Sequence, residues 1–238
     1  LRFSRGSELD PKHRKAVTVR RLKDDIKKPD GSRHFPLRIL KPRDEKLDPE
    51  FYLELSSQEQ ELFDLLEKYS ERRLEKLNKK TRSATNFVLK ILKKRALSSM
   101  RSIRKSLAVH LNHFGKDTFT QESEIIINNR IRKEDEDFDN DEEKDLAQEE
   151  ALQSSASVLS PLDEDESEWL NRMTKIAENY DDGDNKIIAD TKLSALIKWI
   201  NNNLKINGEW NEERLIIFTE YRDTQDYIFD VLEAHGYG

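Results

Sequence analysis

The fold is decided by the stretch ERLIIFTEYRDTQDYIFDVLEAHGYG, residues 213–238. Its short apolar run from Leu215 to Phe218 is typical of a strand that is buried on both faces of a parallel sheet. Asp223 is placed to cap the helix that follows, and Gly236 is placed to end it. The apolar stripe of that helix is formed by Tyr227, Ile228, Val231 and Leu232. The pattern predicts the first β–α unit of an α/β domain. Because a parallel sheet needs further strands, we expect the chain to be a fragment of a larger protein.

The composition favours a helix-rich, partly solvated chain over a compact enzyme, since 35% of the 238 residues are hydrophobic and 38% are charged. With only seven glycines, glycine-rich phosphate loops are scarce. The absence of cysteine excludes disulfide scaffolds, cysteine-ligated zinc and thiol catalysis. No apolar run approaches the roughly 18 to 20 residues that a membrane span needs. We therefore expect a cytoplasmic protein without a membrane partner.

The net charge of −6 hides a strong separation of charge along the chain. From Lys76 to Lys116 there are twelve Lys or Arg residues and no Asp or Glu. From Glu134 to Glu150 there are eleven acidic residues and one lysine. The distribution of charge, more than its sum, therefore indicates what the chain binds.

The first half of the chain passes from extended to helical structure. Residues 1–55, which contain several prolines and a turn signal at 28–32, predict an extended arm. Residues 56–132 predict a helical region, in which Ser56 and Glu59 have the spacing of a capping box. Its second long helix is expected over 83–111, with an apolar stripe formed by Val88, Leu92, Ala96, Met100, Ile103, Leu107 and Leu111.

The second half is predicted in three parts. Residues 133–167 are mostly polar and acidic, and predict a flexible loop whose first half can alternatively form an exposed helix. Residues 168–208 predict two helices, the second capped by Asp190 or Thr191. The apolar residues that mark the first of these helices are Trp169, Met173, Ile176 and Tyr180. Residues 209–238 form the β–α unit described above.

Three stretches, in this order, resemble one protein family. They are VRRLKDDI with HFPLRIL (residues 19–26 and 34–40), FVLKILKKRALSSMRSIRKSL (87–107), and DTKLSALIKWI followed by ERLIIFTEYRDTQDYIFDVLEAHGY (190–200 and 213–237). They resemble the exit from the first RecA-like lobe, the basic helix of the helical protrusion, and the opening of the second RecA-like lobe of the Swi/Snf-type DNA-dependent ATPases of helicase superfamily 2. The similarity is closest to the bacterial RapA/HepA-like branch.

The resemblance implies a mainly α fold with an extended or β arm at the N-terminus, a helical protrusion, and the first β–α unit of a RecA-like α/β domain at the C-terminus. It implies that the parent protein translocates on duplex DNA with ATP and Mg²⁺, in the cytoplasm and in association with the nucleoid. This segment would supply lobe coupling and contacts to the DNA backbone. Its partners would be DNA and the remaining parts of the two motor lobes.

The nucleotide site of that family is missing from this sequence. There is no G-x-x-x-x-G-K-[ST] loop to hold phosphates, and the acidic stretch VLSPLDEDE is interrupted by Pro161. The motif with the arginine fingers is also missing. We therefore assign no catalytic residue, no metal ligand and no cofactor to this chain alone.

The basic helix has two interpretations. Its cations either form a track for DNA phosphates or a solvated face opposite the apolar stripe. A third possibility is that the acidic stretch 134–150 folds over this helix and screens it. The candidate DNA contacts are Lys90, Lys93, Lys94, Arg101, Arg104 and Lys105.

Two further groups are candidates. Thr219, Arg222 and Thr224 follow the predicted strand, at the edge where open α/β sheets bind ligands, and by resemblance they contact the nucleic-acid backbone. Alternatively, Thr224 only caps the helix. The second group lies at the lobe junction, where it braces the lobes or contacts phosphate, and consists of Arg20, Arg21 and Lys23.

The remaining features are given structural interpretations. His110 and His113 are expected at the surface, because no third metal ligand is near. The tryptophans are expected to pack helices together. A rival function for the whole chain is a non-enzymatic helical scaffold, whose basic helix binds an acidic partner and whose terminal β–α unit completes another chain's sheet.

Overall fold

The computed structural model describes residues 25–35, 52–77, 79–117, 120–134, 141–183, 186–206 and 208–237. These residues are mainly helical, as predicted, with one two-stranded sheet. The chain divides into two units, Leu1–Tyr52 and Leu53–Gly238. No helix in the described ranges combines the length and the hydropathy needed to cross a membrane.

The helices all lie in the second unit. Their bounds are α1 Ser57–Glu75, α2 Arg82–Ser98, α3 Met100–His113, α4 Gln121–Glu134, α5 Asp141–Ser157, α6 Glu164–Tyr180, α7 Thr191–Asn203 and α8 Arg222–Ala234. Between α7 and α8, strands β1 (Lys205–Ile206) and β2 (Glu209–Trp210) pair antiparallel. Gly208 allows the tight turn between them, since its φ of 88° is favourable only for glycine.

In the first unit, the predicted turn at 28–32 is confirmed. Lys27 and Arg33 form an isolated antiparallel bridge around it, and Gly31 has a φ of 80°. The candidate brace residues Arg20, Arg21 and Lys23 lie outside the described residues.

Local sequence signals set the helix starts as predicted. Ser56 and Glu59 form the expected capping box at α1, with the Ser56 hydroxyl accepting from the Glu59 backbone N–H. Asp190, one of the two predicted alternatives, caps α7 by accepting from the Leu193 N–H. Asp223 does not cap α8, because Tyr221 occupies the N-cap position without a side-chain bond and Asp223 lies in the first turn.

The single helix predicted over 83–111 is wrong, because the chain breaks at Ser99. This residue ends α2 and caps α3 in an extended conformation, with φ −161° and ψ 163°. Its hydroxyl accepts from the Ser102 N–H at 3.1 Å, so the side chain replaces the backbone bond that a continuous helix would have made. The apolar stripe survives the break. Its most buried members are Val88, Leu92, Ala96, Met100, Ile103 and Leu107.

A large hydrophobic core, here called the bundle core, joins α1 to α6. Its fully buried side chains include Leu62, Tyr69, Leu92, Ile103, Leu107, Leu170 and Met173. The apolar positions predicted in α6 are confirmed, since Met173 and Ile176 are buried there. Burial of side chains of this size supplies the main stabilising free energy of such a bundle.

The acidic region 133–167 differs from the predicted flexible loop. Helix α5 occupies 141–157 and buries Ala151, Leu152 and Ala156 in contact with the bundle. The sequence hid this contact because α5 buries small and polar side chains, such as Gln148 and Ser155, rather than a broad apolar stripe. The third possibility, an acidic segment lying over the basic helix, is therefore closer to the structure for α5.

A second, smaller core lies between α7 and α8, here called the second core. It is formed by Leu193, Tyr227 and Val231, with Leu196, Ile197 and Ile228 packed around them. The Tyr227 hydroxyl accepts from the Asp190 N–H at 3.0 Å, which ties the start of α7 to α8. The predicted stripe of α8 therefore packs on α7.

The predicted strand Leu215–Phe218 is not part of a sheet. Among the described residues no strand pairs with it, and Ile216 and Phe218 are 75% and 90% exposed. An apolar strand needs neighbours on both edges and both faces to be buried, and the described residues supply none. The segment is left as an exposed apolar stretch that leads directly into α8.

The prediction of a surface location for His110 is wrong. Its ring is fully buried, and its Nε2 lies 2.7 Å from the Tyr69 hydroxyl. Arg73 contacts the same tyrosine and also forms a buried ion pair with Glu166, with Nε and Oε1 3.0 Å apart. Burial, together with the nearby Arg73 charge, lowers the pKa of His110 to about 3.

We predict that His110 makes the protein less stable as the pH falls. The unfolded chain takes up a proton near the ordinary pKa of 6.5, whereas the folded chain does not until about pH 3. The free energy of unfolding should therefore fall by up to about 1.4 kcal/mol per pH unit below about pH 6, which urea unfolding at several pH values measures. His110→Gln should flatten this dependence and His113→Gln should not. Equal slopes in all three proteins would contradict the assignment.

Candidate functional site

The candidate site is the contact between the two cores, where most of the predicted DNA-contacting residues converge. It is formed where residues 219–230 meet α2, α3 and α5, and is called the joint below. Its contacts are ion pairs and hydroxyl hydrogen bonds, whereas each core on either side is apolar. The joint therefore differs in kind from the packing within each core.

Arg95, in α2, is the most buried cation of the joint, with its side chain 6% exposed. Its guanidinium donates to Asp145 of α5 at 3.1 Å and lies 3.5 Å from an Asp223 oxygen of α8. It also donates to Ser102 and Gln148, and its carbon lies 3.9 Å from the centre of the Tyr221 ring. Such a planar, multiply bonded site suits arginine and would not suit lysine.

Arg101 forms the second link across the joint. Its guanidinium bonds Asp181, at the end of α6, and Asp230 of α8, the latter at 2.6 Å. Burial acts against the charge, but these hydrogen bonds prevail and raise the pKa of Arg101. Arg104 lies 3.9 Å from the same Asp181 carboxylate. Both candidate arginines therefore face carboxylates of this chain.

The lysines are arranged differently from one another. Lys94 pairs with Glu220 at 3.3 Å, and Lys105 pairs with Asp223 at 2.6 Å, so both belong to the joint. Lys93 pairs with Glu67 of α1 at 2.8 Å, away from α8. Lys90 is exposed on α2. The six candidates thus do not form one uniform open track.

The residues after the predicted strand also separate in the structure. Thr224 is buried, and its hydroxyl lies 2.6 Å from that of Ser98 and 2.9 Å from that of Ser99. Thr219 is exposed and its hydroxyl accepts from the Tyr221 N–H. Arg222 is exposed, and its backbone N–H donates to Asp145. Thr224 therefore docks α8 onto the Ser99 break.

A second set of polar contacts fixes the start of α7 to the bundle. Glu59 of α1 accepts from the Thr191 N–H at 2.9 Å and from its hydroxyl. Burial acts to raise the pKa of Glu59, but the bonds from Thr191 hold it below its ordinary value. Lys192 donates to the carbonyl of Ser98 at 2.6 Å and to that of Leu97, at the end of α2 where a cation is favoured.

A cleft of about 480 Å³ opens beside the joint. Its walls come from the end of α2, from α7 and from the segment 218–221, and include Leu97, Lys192, Leu196, Phe218 and Ile228. Among the described residues, no group of three or more His, Asp or Glu side chains is arranged to hold a metal ion.

Sequence reasoning identified the cations of the joint but missed their partners. Asp145, Asp181 and Asp230 lie 50 to 129 residues from their arginines along the chain, and no local spacing connects them. The tryptophans were predicted only in part. Trp169 packs on the bundle core, whereas Trp199 and Trp210 are 46% and 57% exposed.

No protein-family model, curated protein or solved structure was found to match this chain. The function is therefore argued from the residues and the geometry described above.

We predict that Arg95 stabilises the fold far more than a neighbouring surface lysine does. Arg95→Met leaves Asp145 and Asp223 without their main buried cation, and should lower the free energy of unfolding by about 3 kcal/mol. The matched control is Lys93→Met, which removes one positive charge from an exposed pair in the same helix and should cost less than about 1 kcal/mol. Urea unfolding of both variants measures the difference. Similar small losses would show that the joint does not depend on Arg95.

Proposed function

We propose that the chain is a coupling segment of a Swi/Snf-type DNA-dependent ATPase. In this proposal α1 to α6 form the helical protrusion. The segment from α7 through α8 opens the second motor lobe, and the joint transmits force between them. ATP and Mg²⁺ would bind to other parts of the parent protein, and duplex DNA would be its substrate track. The observation that carries the proposal is the exposed apolar stretch Leu215–Phe218 in front of a docked helix.

The exposed stretch supports the proposal because it has the composition of a central strand. Leu215, Ile216, Ile217 and Phe218 follow one another without a polar residue, as in a strand covered on both faces. Phe218 is nevertheless 90% exposed here. Exposed apolar strands promote unwanted pairing, and proteins normally cover them. A parallel sheet supplied by the rest of a motor lobe would provide this cover.

The role of the joint follows from its connections. α8 directly follows the proposed strand, so movement of the sheet displaces α8, and Arg95 and Arg101 carry that displacement to α2 and α3. Lys90 and Lys93 lie on α2 outside the joint, which makes them the cations best placed to contact DNA while α8 is docked.

The rival scaffold is favoured by one observation, because another chain's sheet would cover Leu215–Phe218 equally well. Its other requirement is an open basic face for an acidic partner. Lys94, Arg101 and Lys105 are already paired with carboxylates of this chain. The motor segment is therefore the better supported of the two proposals.

We predict that this polypeptide alone does not hydrolyse ATP, with or without duplex DNA. The sequence contains no phosphate-binding loop of the G-x-x-x-x-G-K-[ST] type, and no acidic pair that would position Mg²⁺. Phosphate release by the purified chain measures the activity. DNA-stimulated turnover that persists through purification to homogeneity would refute the assignment of a coupling segment.

We predict that Ile216→Asp has opposite consequences in two contexts. In this chain Ile216 is 75% exposed, so the free energy of unfolding should change by less than about 0.5 kcal/mol. In the parent ATPase the same residue would be buried in a sheet, and DNA-stimulated ATP hydrolysis should be abolished. Urea unfolding and phosphate release measure the two effects.

The matched control is Ile125→Asp, in the exposed part of α4, which should leave both quantities unchanged. If Ile216→Asp leaves ATP hydrolysis in the parent intact, the strand assignment is wrong.

A further inference from the structure

The two cores are joined in a way that allows them to separate. The second core keeps Leu193, Tyr227 and Val231 in contact with one another whether or not α8 touches the bundle. The contacts between α8 and the bundle are instead ion pairs and hydroxyl bonds. Breaking polar contacts exposes groups that water or ions can solvate, whereas breaking an apolar core does not. The joint is therefore the surface along which the molecule opens at least cost.

The carboxylates that α8 brings to the joint each occupy a place beside a cation of α2 or α3. Asp223 contacts Lys105 and Arg95, and Asp230 contacts Arg101. Glu220, just before α8, contacts Lys94. Removal of α8 would therefore uncover four cations of two consecutive helices together.

We propose that these carboxylates occupy the positions that phosphates of duplex DNA would take, so that docking of α8 and binding of DNA at the joint exclude each other. This inference rests on the DNA-binding role in the proposed function and adds its regulation. In the docked state the chain screens its own basic site, and in the open state that site is exposed.

The exclusion follows from charge compensation. The side chains of Arg95 and Arg101 are only 6% and 13% exposed, so opening the joint without a new anion removes close partners from both. A polyanion that supplies phosphates to the same cations restores those partners. DNA therefore favours the open state, and by thermodynamic linkage a docked α8 weakens DNA binding by the same factor.

The first test locks α8 in place. The chain has no cysteine, and the hydroxyls of Ser98 and Thr224 lie 2.6 Å apart, so Ser98→Cys/Thr224→Cys offers one disulfide across the joint. Binding of a fluorescent 20-base-pair duplex is measured by anisotropy as a function of salt. We expect the oxidised protein to bind at least about tenfold more weakly than the same protein after reduction. We also expect its binding to depend less steeply on salt, by about 0.9 in the log–log slope for each phosphate that the locked protein cannot reach. Equal affinities in the two forms would overturn the proposal.

The second test weakens the lock without a disulfide. Asp223→Asn removes the carboxylate shared by Arg95 and Lys105, and should tighten duplex binding several-fold. Asp226→Asn makes the same change of charge at an exposed position in the same helix, and should have a much smaller effect. If both variants tighten binding equally, only the net charge matters and the proposal is wrong.

A failure here is distinguishable from a failure of the proposed function. If no form of the chain binds the duplex, competition by DNA is refuted, while the effect of Ile216→Asp on ATP hydrolysis by the parent still decides the motor assignment. If both forms of the locked protein bind equally well, DNA binding stands and only the exclusion is refuted.

Discussion

The guanidinium of Arg95 connects parts of the molecule that share no apolar core. It belongs to α2, whose stripe lies in the bundle core, and it meets Asp145 of α5 and Asp223 of α8. Tyr221, the N-cap residue of α8, covers its face. A buried charge is tolerated only when several partners together compensate its lost hydration. The positions of α5 and α8 on α2 therefore depend on a common requirement, the compensation of one charge.

The break at Ser99 makes this arrangement possible. A continuous helix over 83–111 would have carried Arg95 and Arg101 on one straight rod. Instead, the extended residue between α2 and α3 presents the hydroxyls of Ser98 and Ser99 to Thr224. The cost of the missing backbone bond is offset because the Ser99 side chain caps α3. One local choice of residue thus creates both the bend and the seat for α8.

Sequence patterns predicted what depends on neighbours in the chain, such as the capping box at Ser56 and the cap at Asp190. The break at Ser99 was missed because the apolar stripe continues across it, and periodicity alone cannot detect a one-residue interruption. The candidate site was predictable only by half, because a run of cations does not show which carboxylates the fold brings to it. Arg101 bonds Asp181 at the end of α6 and a second carboxylate in α8. Long-range pairs of this kind depend on how the helices pack, and helix packing depends on the whole core.

The polar character of the joint has a consequence for how force passes through it. Directional bonds, such as those from Arg101 to two carboxylates, fix the orientation of α8 while they last. An apolar contact of the same area would hold α8 with less orientation, and would resist separation in water. Because each core is complete on its own side, the bonds can be exchanged for others without unfolding either half. A contact that is precise when closed and tolerable when open is what a segment between two moving bodies requires, and the Leu215–Phe218 stretch places the start of that movement next to α8.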